Sequence, residues 1–273
     1  MDLQPAFILH ARAYRETSLL LDAFTRDHGR VGLIARGVRG ARGQATRAAL
    51  QPLQPLLLSW RGQGELWTLT STEAAGAALA LRGDALLSGF YLNELLLRLL
   101  PRHDPHAELF WRYAECVNAL AAGEPAGWEL RRFERDLLDA LGYGLELSVD
   151  AEDGAPLQAE ERYRFDPESG PGRVWGERAS SGSISGTALI ALRDDVAPGA
   201  TELRELRRLM RGVLLHHLGG RELRSWQVLA DLAQRGARPP AARAGAGAAD
   251  AGPGGVLPDT AAPENTAPED ADR

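Results

Sequence analysis

Over roughly its first seventy residues the chain alternates with a period of two, and afterwards with the period of a helix. Leu19 and Leu21 share one side of an extended segment, with Leu20 and Asp22 on the other. Val31, Leu33 and Ala35 are set in the same way against Gly32, Ile34 and Arg36. The runs 53–60 and 65–71 are joined by Arg61-Gly-Gln-Gly64, a hairpin signal. Five short strands in so short a stretch predict a small closed barrel, and the five-stranded OB-fold is the commonest such barrel that binds single strands.

From about Gly83 the period lengthens. Residues 86–100 are apolar almost all round, which predicts a buried helix. Leu109, Tyr113, Cys116, Val117 and Leu120 form one stripe of a second helix. A third covers 128–141, buries Leu130, Phe133, Leu137 and Leu141, and stops at Gly142. The stretch 149–185 breaks this pattern. Within it, Arg162-Tyr-Arg-Phe165 and Arg173-Val-Trp-Gly176 flank a turn-rich segment and predict a β hairpin. Helices return at 201–218 and 225–235. Beyond Gly236 the chain is Ala, Gly, Pro and acids, too poor in large apolar residues to offset ordering entropy, so disorder is expected there. The expected fold is α+β, with four parts. These are an OB-fold at 1–80, a helical domain at 81–148, a hairpin-containing C-terminal subdomain at 149–236 that packs on it, and a tail at 237–273.

Charge changes this picture in one place. The formal net charge is -6, yet residues 26–47 hold six arginines against one acid, Asp27. Arg26, Arg30, Arg36, Arg39, Arg42 and Arg47 are interleaved with five glycines. Planar guanidinium forks on a glycine-rich loop suit a polyanion backbone; a solvated hairpin connection is the plainer alternative. Trp60 and Trp67 are placed either to stack a base or to fill the barrel. On the third helix Trp128, Arg131, Arg132 and Arg135 fall together, opposite the leucines. That face suits an acidic peptide with an apolar anchor, or else it is an ordinary surface balanced by Glu129, Asp136 and Asp139. Arg204, Arg208 and Arg211 read as a surface ion-pair network with Glu202 and Glu205.

Catalytic signatures are weak. Gly182-Ser-Ile-Ser-Gly186 has Ile184 where a nucleophile elbow needs serine. All 31 basic residues are arginine, so no Walker lysine exists. Cys116 is the single cysteine, which excludes an intrachain disulfide and a cysteine-based zinc site. His103-Asp104-Pro105-His106 reads as an interhelical loop and His216-His217 as a helix end. No catalytic residue, metal or cofactor is expected. The N-terminus lacks a charged region followed by an apolar one, so a cytoplasmic location is expected.

Several segments, in order, resemble the RecO family of bacterial DNA repair proteins. Glu16-Thr-Ser-Leu-Leu-Leu-Asp-Ala-Phe-Thr25, Gly29-Arg-Val, Ala35-Arg-Gly-Val-Arg39 and the run at 49–58 resemble its N-terminal barrel. Tyr91-Leu-Asn-Glu-Leu-Leu96, Leu130-Arg-Arg-Phe-Glu134 and Leu141-Gly-Tyr143 resemble its helical domain. Arg162-Tyr-Arg164 and Leu218-Gly-Gly-Arg-Glu-Leu-Arg-Ser225 resemble its C-terminal part. The resemblance implies a mediator, not an enzyme, that binds single- and double-stranded DNA, anneals complementary strands and helps load RecA. Its implied partners are RecR and the acidic C-terminal tail of single-stranded DNA-binding protein. That tail would meet Arg131 and Arg132, with Phe90 and Leu97 of the preceding helix as its apolar pocket. Many members carry a four-cysteine zinc site that this chain lacks, which implies the zinc-free branch. Two alternatives stay open: a protein-only adaptor built on an OB-fold, and a metal-dependent nuclease using the His103 region.

Overall fold

The structure is a computed structural model that describes residues 3–40, 43–64, 66–176 and 182–228. The predicted strands close into a barrel. Its strands are β1 (Gln4–Tyr14), β2 (Ser18–Thr25), β3 (Gly29–Ala35), β4 (Pro55–Arg61) and β5 (Leu66–Ala74). They run in the order β1-β2-β3-β5-β4, and only the β3–β5 pair is parallel. The period-two pattern sets the inside. Leu19, Leu21, Val31, Leu33 and Ala35 are buried together with Ile8, Leu56, Leu58 and Trp60. Leu20, Asp22, Ile34 and Arg36 therefore belong to the outer face.

A short helix, α1 (Gln44–Ala49), stands between β3 and β4 where the sequence suggested only loop. Five strands with a helix in this position make the OB-fold arrangement.

The helical part begins with α2 (Gly83–Leu99), α3 (Ala107–Ala122) and α4 (Ala126–Ala140). The predicted stripe of α3, from Leu109 to Leu120, is buried in full. Cys116 is core, and burial pushes its thiol up. Gly142 follows α4 in the left-handed region (φ 79), as a helix stop requires. β6 (Arg162–Asp166), β7 (Gly170–Arg173) and β8 (Ile184–Ser185) make a small sheet in the order β7-β6-β8. The hairpin exists, but its register corrects the sequence reading. Asp166 opposes Gly170, so the returning strand starts three residues earlier than Arg173. The third strand was not expected. Neither was α5 (Gly186–Arg193), whose start is capped by the Ser185 hydroxyl accepting from the Ala188 amide at 3.3 Å. α6 (Ala200–His217) lies where a helix was predicted.

One buried cluster runs from Leu81 to Trp226 and also takes in Phe7, Leu9, Phe24 and Leu53 from the barrel. Phe7 and Phe24 meet Phe110 and Tyr113 at 5.0–6.1 Å between ring centroids. Polar bonds fix the same seam. The Asn93 amide donates to the Leu9 carbonyl at 3.0 Å, and the Tyr113 hydroxyl donates to Asn93 at 2.5 Å. Barrel and helices thus share a core.

The expected tail at 237–273, the end of the helix expected at 225–235, and Arg42 lie outside the described residues.

Candidate nucleic-acid interface

The arginine segment is folded against the barrel mouth. After β3 the chain turns at Gly37 (φ 72) and drops Val38, 5% exposed, into the barrel core. The Arg39 amide donates to the Thr17 carbonyl at 2.9 Å, and its guanidinium to the Arg15 carbonyl at 3.0 Å. Gly43 allows the chain to double back, since a Cβ there would sit 2.4 Å from the Gly37 carbonyl oxygen. With Val38 pointing in, Arg36 and Arg39 on either side of it are exposed. Arg47 is exposed on α1. Arg12 and Arg15 of the neighbouring hairpin are also exposed, although the sequence reading did not single them out. Among the described residues, no carboxylate lies in ion-pair contact with any of these five arginines. Cations without internal counterions keep their charge for an external anion.

Arg26 and Arg30 lie elsewhere. They sit at the opposite end of β3, about 20 Å away along a seven-residue strand. Arg26 is paired with Asp27 at 2.7 Å. Arg30 is half-buried, donates to the Leu97 carbonyl at 2.6 Å, and has its pKa lowered by burial and by Arg102. It brackets the barrel to α2. Trp60 is core, 4% exposed, and stacks on Trp67 at 5.7 Å with an interplanar angle of 8°. Trp67 also meets His103 at 4.8 Å. The pair is packing, and neither ring belongs to the arginine end.

The α4 arginines require a correction. Arg131 is not on an open face: it is 7% exposed and forms an ion pair with Glu134, itself fully buried. The Tyr91 hydroxyl donates to the same carboxylate at 2.5 Å. Burial pushes the Glu134 carboxyl up, opposed by Arg131 and Tyr91. Arg132 pairs with Asp195 at 2.8 Å and Arg135 with Asp136 at 2.8 Å. The Arg132 guanidinium holds the Asp195 carboxyl below the usual carboxylate range. Trp128 is half-buried against the core. The physical reason is that α4 packs against α2, α3, α5 and α6.

Phe90 and Leu97, expected as an apolar pocket, lie along one groove. Exposed Phe90 and half-buried Leu87, Glu94 and Leu97 lie along one stripe of α2. Phe90 is 45% exposed. They line a groove of about 420 Å³ with Leu9, Val228, Arg98 and Arg224. The groove's cations are therefore Arg224 and Arg98, the latter 3.8 Å from Glu94 of the same groove, and not the α4 arginines.

His106 contacts Asp104 at 3.1 Å, and among the described residues no group of three His, Cys, Asp or Glu side chains converges. Among the same residues no helix is long and apolar enough to cross a membrane. Among the described residues, the ion pairs expected on α6 between Arg204, Arg208, Arg211 and Glu202, Glu205 do not form. Arg211 pairs with Glu222 at 3.0 Å, while Glu205 turns to Arg162 at 2.7 Å and to Ser185.

Comparison with known proteins covers both halves. Residues 1–78 match the family model described as Recombination protein O N terminal, and residues 81–227 the one described as Recombination protein O C terminal. The chain is 54% identical over 232 residues to the DNA repair protein RecO of Xanthomonas euvesicatoria pv. vesicatoria, which covers 84% of this chain and 96% of that relative. Identity to the DNA repair protein RecO of Stenotrophomonas maltophilia is 52% over 231 residues, with the same coverage.

Proposed function

The chain belongs to the RecO family of DNA repair proteins, and from that premise we propose that its barrel mouth holds DNA for strand annealing and for loading of RecA. Single or double strands would lie on Arg36, Arg39 and Arg47, with Arg42 of the same loop as a further contact and Arg12 and Arg15 extending the surface. The observation that carries this reading is the absence, among the described residues, of carboxylate partners for Arg12, Arg15, Arg36, Arg39 and Arg47, in a protein whose net charge is negative. Arg26 and Arg30, at the far end of β3, are assigned a secondary part. Annealing needs no catalytic group. It needs two strands at high local concentration with their charges screened.

Single-stranded DNA-binding protein would dock its acidic tail in the α2 groove, with apolar contact from Phe90 and Leu97 and charge from Arg98 and Arg224. Trp128, Arg132 and Arg135 would shape the nearby surface, while buried Arg131 acts through Glu134 as structure. RecR completes the assembly as a partner protein, and nucleoid DNA in the cytoplasm is the site of action.

The test is annealing of complementary strands precoated with single-stranded DNA-binding protein. The full chain should accelerate it, and the Arg36→Ala/Arg39→Ala/Arg47→Ala variant should lose most of that acceleration while melting normally. Undiminished annealing by the folded variant would move the DNA site away from the barrel mouth.

A further inference from the structure

The arginine end of the barrel has a partner for bases as well as for phosphates. On the outer face, Tyr14 of β1 pairs with Ser18 of β2. Leu19 pairs with Ala35, so Ser18 lies opposite Arg36, one place further along. Ile34 pairs with Thr68 in the parallel β3–β5 ladder, which brings Thr70 beside Arg36. Side chains paired across strands share a face. Tyr14, Ser18, Arg36 and Thr70 thus form one row across four strands, about 14 Å long at the spacing of a sheet.

The surface along that row is concave. Tyr14, Ser18 and Arg36 border a depression of about 480 Å³. Arg36 and Thr70 border a second of about 450 Å³. The two share Arg36 and Gly37 and so lie side by side, a trough with an aromatic ring at one end, the Arg36 cation between the two depressions and a hydroxyl at the other end.

Tyr14 is half-buried and lines the trough. The Arg15 guanidinium lies 5.3 Å from its ring centroid. Arg15 is held there by the turn, where it adopts φ 52, and its carbonyl is bonded by Arg39. Among the described residues no other aromatic ring packs on Tyr14. This is the opposite of Trp60 and Trp67, which are packed on each other at the far end.

We infer that Tyr14, backed by Arg15, is a base-stacking platform that makes this trough a site for single-stranded nucleic acid, with Arg36 at the adjoining phosphate and the hydroxyls of Ser18 and Thr70 along the strand. Stacking on an aromatic face is open to any unpaired base, so the site reads no sequence. A duplex offers its phosphates to the arginines but no free base face to Tyr14. The arginine surface would then serve both forms of DNA, and Tyr14 would favour the single strand. This inference rests on the DNA-binding reading of the barrel mouth.

The experiment compares Tyr14→Leu and Tyr14→Phe in the full chain, by fluorescence anisotropy, on a labelled oligothymidine and on a labelled duplex of equal length. Tyr14→Leu should weaken single-strand binding roughly five- to tenfold. It should leave duplex binding unchanged and the salt slope of both unaltered, because no phosphate contact is lost. Tyr14→Phe should restore the single-strand affinity. Photocrosslinking of an iodouracil-substituted strand, mapped by mass spectrometry, should place the adduct on Tyr14. Equal single-strand affinity in Tyr14→Leu, an equal loss on duplex, or an adduct on Trp67 would overturn the inference. The Arg36→Ala variant separates it from its premise. If that variant loses DNA binding and Tyr14→Leu does not, only the stacking platform fails; if neither does, the DNA site itself is elsewhere.

Discussion

Arginines cluster twice in this chain, at the barrel mouth and along α4, and the two clusters have opposite surroundings. Arg36, Arg39 and Arg47 are exposed. Around α4, Glu134, Asp195 and Asp136 each meet an arginine within 4 Å. The first cluster rests on a loop pinned by an apolar residue, Val38, which turns its charged neighbours outward. The second rests on a helix packed against four others, where a cation must bring its own counterion into the fold. Arginine density alone therefore does not mark a binding surface; the positions of the acids do.

The largest contrast should appear in stability. Glu134→Ala would leave the Arg131 cation buried and unpaired, at a cost of about 3–5 kcal/mol. Arg36→Ala at the exposed barrel mouth should shift stability by no more than about 0.5 kcal/mol. Urea denaturation of both variants checks this. Equal effects would mean that Arg131 is not the structural cation described here.

The groove gives the next effect. Phe90→Asp puts a charge where an apolar contact is proposed and should weaken binding of an acidic tail peptide at least about tenfold, or about 1.4 kcal/mol. Direct binding of the same variant to naked DNA should stay unchanged. Calorimetric titration with the peptide would reveal the reverse if the α4 face were the seat after all.

The smallest effect concerns Asp195. Its folded pKa is depressed by Arg132, so the pair contributes stability above the unfolded carboxylate value near 3.9, and that contribution is lost as pH falls through the folded value. The pair is partly solvent-exposed, so the contribution should be below about 1 kcal/mol. Melting curves at neutral pH and at about pH 3 should differ slightly less in Asp195→Asn than in the parent chain. An undiminished difference would detach the pair from the acid response.

Much of this was legible in the sequence. The alternation at Leu19–Leu21 and at Val31–Ala35 gave the barrel interior, and the α3 stripe and the stop at Gly142 gave two helices. What escaped was either short or dependent on neighbours. α1 follows three glycines, whose turn signals hid the helix-forming Ala45, Ala48 and Ala49. α5 is eight residues long and follows directly on the small sheet. A helical projection put Arg131 beside Arg132, but it could not show that Tyr91 and Glu134 close over one and not the other. Likewise, Arg26 and Arg30 fall at one end of the barrel and Arg36, Arg39 and Arg47 at the other, because β3 carries the chain from one end to the other. Arg12, Arg15 and Tyr14 were missed because they join the cluster only through strand pairing.

The most direct measurement is the salt dependence of DNA affinity for two variants side by side, Arg36→Ala/Arg39→Ala/Arg47→Ala and Arg132→Ala/Arg135→Ala. Each would be titrated onto labelled single strands by anisotropy between about 50 and about 200 mM salt. The barrel-mouth variant should bind more weakly and lose about one unit of slope per removed phosphate contact, while the α4 variant should keep the parental slope. A parental slope in the barrel-mouth variant, or a reduced one in the α4 variant, would contradict the assignment of the two clusters.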